Sequence, residues 1–130
     1  MNETMTRQDI FDWCRQQYDI EPDYPWNDWN AVLRHKDNRK WFGLVLEVKG
    51  NKLGMDTEKM VDLLNIKCDP VLIGSLLLQR GFFPAYHMNK DNWISILLDD
   101  SENDEKIKSL LDMSYEMTKN RKKKRSDKEA

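Results

Sequence analysis

The segment Met60-Val61-Asp62-Leu63-Leu64-Asn65-Ile66-Lys67-Cys68-Asp69-Pro70-Val71-Leu72-Ile73-Gly74-Ser75-Leu76-Leu77-Leu78-Gln79-Arg80-Gly81 decides the fold, because it joins two element types at one junction. Met60 to Lys67 reads as a strand with Leu64 and Ile66 turned inward. Asp69-Pro70 is the strongest helix start in the chain: the aspartate caps free amides, and a proline at the first helical position gives up no hydrogen bond. Gly81 is suited to a left-handed C-terminal cap. Between them Val71, Leu72, Ile73, Leu76, Leu77 and Leu78 leave little polar circumference, so this helix is expected to be central and largely buried.

Upstream, Trp41 to Val48 forms a strand with Phe42, Leu44, Leu46 and Val48 expected on one face, between turns at Asp37-Asn38 and Gly50-Asn51. Trp29 to His35 supplies another strand, and three strands joined by short polar turns suggest an antiparallel meander. Thr6 and Asp9 have capping-box spacing, and Ile10, Phe11, Cys14, Gln17 and Tyr18 continue a first helix. Pro22 and Pro25 make residues 19–28 an irregular connection. Downstream, Phe82 to Met88 is extended, with Pro84 restricting it to a sheet edge or strand end. Asn89 to Asn92 turns the chain into a strand at Trp93–Leu98. Ser101 and Asp104 open a last helix carrying Ile107, Leu110, Leu111, Ser114, Tyr115 and Thr118. The order is α-β-β-β-α-β-β-α, an α+β fold with an antiparallel sheet.

A length of 130 residues suits one domain, and 39% hydrophobic with 34% charged residues describes a packed core rather than a disordered chain. No apolar run approaches the ~20 residues of a membrane span. Met1-Asn2-Glu3-Thr4 lacks the features of a signal peptide. Cys14 and Cys68 form no disulfide framework, so a reducing cytoplasm is the expected setting. The formal charge is −2, unevenly spread: residues 119–130 hold seven basic side chains against Asp127 and Glu129, a net +5, which leaves −7 on residues 1–118. The division expected is a folded domain over 1–118 and a basic tail, 119–130, that does not fold by itself. Arg34 to Lys52 is a second basic zone, net +4.

Asn65-Ile66-Lys67-Cys68-Asp69-Pro70, followed by Pro84-Ala85-Tyr86-His87-Met88-Asn89-Lys90 and Trp93, resembles the MmcQ/YjbR family of small bacterial proteins. Those proteins carry a K-C-D-P-like junction, a P-G-Y-H-x-N-K-x-x-W signature and a Ser-Tyr pair in the last helix, here Ser114-Tyr115. Pro25-Trp26 and Trp41-Phe42 are similar to two further steps of the pattern, and the likeness covers roughly residues 6–118. It implies the order α-β(3)-α-β(2)-α in the type III secretion-chaperone-like class, and a "double-wing" DNA-binding label that rests on likeness of fold. The chain departs from the pattern at Ala85, usually glycine, and at Asn92, where a basic or histidine residue is common.

The candidate DNA contacts are Lys67, His87, Asn89 and Lys90 around the signature loop, Arg34, Lys36, Arg39 and Lys40 in the basic zone, and Arg121, Lys122, Lys123, Lys124 and Arg125 in the tail. Each has a plainer reading. Tyr86 and Trp93 pack inward while His87 or Asn89 ties a hairpin turn; Lys67 is a solvated or carboxylate-paired edge lysine; the tail solubilises an acidic body. Cys68 stands before a helix start, which lowers a thiol pKa, yet a buried inert thiol is the simpler expectation. His35, His87 and the cysteines lack zinc-site spacing, and no phosphate-loop, dinucleotide, nucleophile-elbow or zincin motif occurs. No catalytic residue, metal or cofactor is expected. The expected function is weak DNA binding without strong sequence preference. A protein-interaction module, marked by an exposed apolar patch on the sheet, and a small-ligand pocket lined by some of the five tryptophans are the alternatives.

Overall fold

The computed structural model describes residues 5–98 and 104–119. Helix α1 (Arg7–Tyr18) is followed by β1 (Ala31–Arg34), β2 (Trp41–Lys49), a short 3-10 turn (Gly50–Leu53), β3 (Met60–Lys67), α2 (Pro70–Leu76), β4 (Phe82–Pro84), β5 (Trp93–Leu97) and α3 (Asp104–Met117). The strands form one antiparallel sheet in the order β1-β2-β3-β5-β4. β5 thus enters between β3 and β4, and Pro84 ends a three-residue edge strand.

The helix starts follow their sequence signals. The Thr6 hydroxyl accepts from the Asp9 amide at 3.2 Å, and the Asp9 carboxylate accepts from the Thr6 amide at 2.9 Å. Thr6→Ala is therefore expected to cost about 1 kcal/mol in a urea titration, the usual worth of such a cap. Asp69 caps α2 through the Val71 amide at 2.9 Å. The predicted Ser101 start of α3 lies outside the described residues.

All three helices cover one face of the sheet. Ile10, Phe11 and Cys14 of α1, Ile73 and Leu76 of α2, and Ile107, Leu110 and Leu111 of α3 pack on Leu33, Val45, Leu64, Ile66, Ile94 and Ile96. The alternate strand positions build a second core on the other face from Val32, Leu44, Leu46, Val48, Val61, Leu63 and Leu97. No described helix covers it; Leu53, Met55, Phe83, Tyr86, Met88, Trp41 and Trp93 pack against it from loops and strand ends. Two buried faces explain why β1 to β3 read as mixed apolar runs rather than clean alternation.

Three expectations are corrected. Phe42 does not share a face with Leu44, because Leu33 pairs with Gly43 while Arg34 pairs with Trp41, leaving Phe42 as the extra residue of a bulge. Phe42 joins the helix-side core, and Trp41 turns to the helix-free face. Gly43 lies under α3: a Cβ there would stand 3.1 Å from Leu33 Cδ1 and 3.4 Å from Leu111 Cδ1. Second, α2 is not central. It stops at Leu76, and Val71 and Leu78 are 85% and 88% exposed. The chain must rejoin the sheet at Gly81, whose carbonyl accepts from the Leu97 amide, so residues 77–80 wind into turns. Gly81 is left-handed (φ 88°), but it leads into β4 rather than capping α2, whose cap is Leu77. Third, β1 is only four residues, since Trp29 leaves the strand and lies under the Arg7 guanidinium. Arg7 also holds Asp62 of β3 with two bonds, at 3.0 and 3.1 Å, fastening the start of α1 to the sheet.

Candidate nucleic-acid interface

Strand direction gathers the candidate residues. The β1–β2 turn (residues 35–40), the C-terminal end of β3 at Lys67 and the β4–β5 turn (residues 85–92) all project from one end of the sheet. From one turn to the other is about three strand spacings, or ~14 Å. The last turn of α3 reaches the same end: Asn38 Nδ2 donates to the Thr118 carbonyl at 3.0 Å, and His35 Nε2 lies 2.8 Å from Thr118 Oγ1. Lys119, which opens the basic segment, therefore leaves from there.

A serine holds this end open. The bulge at Phe42 takes its carbonyl out of the ladder, and Ser114 Oγ of α3 donates to that carbonyl at 2.6 Å. The same oxygen accepts the Lys67 amide at 2.9 Å. Beside it, Tyr115 stacks on Tyr18 with centroids 3.8 Å apart, and the Tyr18 hydroxyl donates to Asp112 at 2.7 Å. Burial raises the pKa of both phenols. A cavity of about 190 Å³ opens here, lined by Tyr18, Ile20, His35, Lys36, Asp37, Tyr115 and Lys119.

His35 is buried between Phe42 and Tyr115, and its Thr118 partner already donates to the Ser114 carbonyl at 2.8 Å. Nε2 must then be the donor to that hydroxyl. Burial pulls the imidazole pKa below its ordinary 6.5, against the opposing pull of Asp37. Unfolding releases that constraint, so the unfolded chain binds more protons as pH falls below 6.5. Stability is thus complete above that value and declines beneath it until the folded imidazole itself titrates. In urea titrations His35→Gln should flatten the part of the acid decline that sets in just below neutrality; an unchanged profile would contradict this.

The signature loop is held by a buried polar group on the helix-free face. Asn65, fully buried, donates from Nδ2 to the Tyr86 carbonyl at 3.0 Å. Ser95 Oγ donates to Asn65 Oδ1 at 2.5 Å and accepts the Tyr86 amide at 3.0 Å. Asn89 spends its side chain within the turn, accepting the Asp91 amide at 2.8 Å, while its carbonyl accepts Trp93 N–H at 3.0 Å. His87 is left-handed (φ 60°), exposed, and edge-on to Tyr86 at 4.1 Å. Asn89 thus ties the turn, while Tyr86 and Trp93 pack on the second core and stay half-buried.

The cations divide into two groups. Arg34 is half-buried and paired with Asp23, and Lys36 is paired with Asp19 at 3.0 Å. Arg39, Lys40 and Lys90 are exposed and Lys67 is half-buried; none pairs with a described carboxylate. Arg39, at the turn, has a left-handed backbone (φ 65°). The zone from Arg34 to Lys52 is not one patch, because β2 carries Lys49 and Lys52 to the opposite end, about 26 Å away. That exceeds the ~8–10 Å screening length several-fold, so the two ends act independently. Arg121, Lys122, Lys123, Lys124 and Arg125 lie outside the described residues.

Other chemistry finds little here. Cys14 is buried and its pKa pushed up to about 12, and burial also raises that of Cys68, outweighing any helix-start effect. Among the described residues no group of three His, Cys, Asp or Glu side chains is close enough to hold a metal. None of the described helices is long and apolar enough to cross a membrane. A second cavity, about 260 Å³, is lined by Met5, Asp9, Asp12, Trp13, Gln16, Asp104 and Lys108, with Trp13 its single tryptophan. The sequence did not reveal Ser114 or Asn65 as the residues that shape this end, since each acts through partners more than 20 positions away.

Comparison with known proteins agrees with this architecture. A crystal structure of a Pseudomonas syringae protein superposes with a TM-score of 0.85 at 40% identity, covering 88% of this chain and 100% of that one. The Deinococcus radiodurans protein DR2400 shares the fold at a TM-score of 0.66 and 22% identity, over 88% of this chain and 80% of that one. "Uncharacterized protein YyaQ" of Bacillus subtilis (strain 168) is 40% identical over 117 residues, 88% of this chain and 99% of that protein. The YjbR family model matches residues 15–117. With that match across most of its length, the chain belongs to the YjbR family.

Proposed function

We propose that the end of the sheet bearing the 35–40 and 85–92 turns binds DNA weakly, through its phosphates and without strong sequence preference. The observation that supports this is the company of Arg39, Lys40, Lys67 and Lys90 at that end with no described carboxylate paired to them. The net +5 segment 119–130 starts from the same place. Affinity of this kind comes from releasing condensed counterions, so it tolerates the −7 on residues 1–118 provided the contact surface itself is positive. Two unpaired, buried thiols suit a reducing cytoplasm, where nucleic acid is abundant. The test is binding of labelled duplex by the full chain across a salt series. Affinity should fall steeply with salt and drop when residues 119–130 are removed; a flat salt response, or no binding at low ionic strength, would exclude the proposal.

One observation favours a protein-docking surface instead: Val71 on α2 and Leu78 in the turns that follow it are exposed apolar side chains, away from the sheet face on which such a patch was expected. That reading gains only if the chain ignores nucleic acid and Val71→Ser with Leu78→Ser abolishes recovery of a stoichiometric protein partner.

A further inference from the structure

Resting on the polyanion reading of this sheet end, we infer that its ligand is a single strand of nucleic acid, with bases laid against the helix-free face. That face ends on three adjacent strands in Trp41 of β2, Lys67 of β3 and Trp93 of β5. Lys67 is directly opposite Trp93 in the ladder, so the two side chains share the face. Trp41, Trp93, Tyr86 and Met88 pack on the second core and stay partly exposed, which fixes the rings in position while leaving part of their surface open. Trp26 extends the row: it stands edge-on to Trp41 with centroids 6.1 Å apart and is 47% exposed.

Rings beside unpaired cations do different work on the two forms of nucleic acid. A duplex offers phosphates and keeps its base faces stacked inside, so the aromatics contribute nothing to holding it. A single strand offers both, and stacking on an aromatic side chain is tolerant of base identity. The half-buried Lys67 between two tryptophans is placed for a phosphate whose neighbouring bases meet the rings, and Arg39, Lys40 and Lys90 flank it for the phosphates on either side. The bulge at Phe42 is what brings Trp41 to this face; unbulged alternation would have hidden it under α3.

The test uses the full chain, a labelled oligothymidylate of about twelve nucleotides, the duplex of the same length, and inorganic polyphosphate as competitor. The single strand should bind about tenfold more tightly than the duplex and quench tryptophan emission. Trp26→Ala, at an exposed position where folding can be checked by circular dichroism, should weaken the single strand about tenfold and leave duplex binding unchanged. Equal binding of both forms with no quenching, or indifference to Trp26→Ala, overturns the inference while the polyanion reading stands. Binding of neither form at low salt overturns both.

Discussion

Replacing Asn65 with leucine should cost about 3 kcal/mol, because the buried Ser95 hydroxyl and the carbonyl of half-buried Tyr86 both lose their partner. The Tyr86 carbonyl loses its donor at 3.0 Å, and the Ser95 hydroxyl loses the acceptor at 2.5 Å. Asn65 and Ser95 are both fully buried, and an unpaired polar group there costs about 1–3 kcal/mol. Leucine is close in volume, so no large cavity adds to the cost. The effect should also be local. Tyr86 lies at the start of the 85–92 turn, after Ala85, and the amides of Asn92 and Trp93, which close it on the Asn89 carbonyl, should exchange faster in the variant. Adding Ser95→Ala removes the stranded hydroxyl, so the double variant should be less destabilised than the sum of the singles. Urea titration measures both numbers. A loss under about 1 kcal/mol for the single variant would show that the loop does not depend on this amide.

The second large effect concerns binding. Arg39, Lys40, Lys67 and Lys90 changed together to glutamine remove four positive charges from one end of the sheet without touching the cores, since three are exposed and the fourth is half-buried. If each meets one phosphate, the slope of log affinity against log salt should become shallower by about 0.9 per contact on duplex, ~3.6 in all. At low salt the affinity itself should fall by more than tenfold; the variant and the parent share the tail, so binding that remains is credited to it. Thermal unfolding should hardly change, because solvated lysines without partners contribute little to stability.

Much of this architecture was legible in the chain. β3 runs from Met60 to Lys67 as its pattern indicated, and the Thr6–Asp9 and Asp69–Pro70 starts are local chemistry that no distant contact overrides. Pro84 confined its strand to the edge for the same reason. What failed depended on partners far away in sequence. Phe42, Leu44, Leu46 and Val48 fall on one face by spacing alone, yet Ser114, 72 positions later, donates to the Phe42 carbonyl and stabilises the bulge. The α2 sequence carries helix-forming leucines past Leu76, but the demand that Gly81 pair with Leu97 ends the helix first. The site was half-visible. Its residues were named from motif and charge, and their gathering at one end follows from strand direction. The split of the basic zone was also implicit, since a nine-residue strand cannot keep both its ends in one patch. The aromatic row on the helix-free face was hidden because it needs the bulge.

The most direct measurement sets this glutamine quartet against a control in which Lys49, Lys52 and Lys59, cations around the opposite end, become glutamine. Both proteins, with the parent chain, are titrated with one labelled oligonucleotide over the same salt series. The quartet should lose most of the salt slope that the folded domain supplies, and the control should keep the parent's slope. If the control loses as much as the quartet, or if neither differs from the parent, the turn-bearing end of the sheet is not where the polyanion sits.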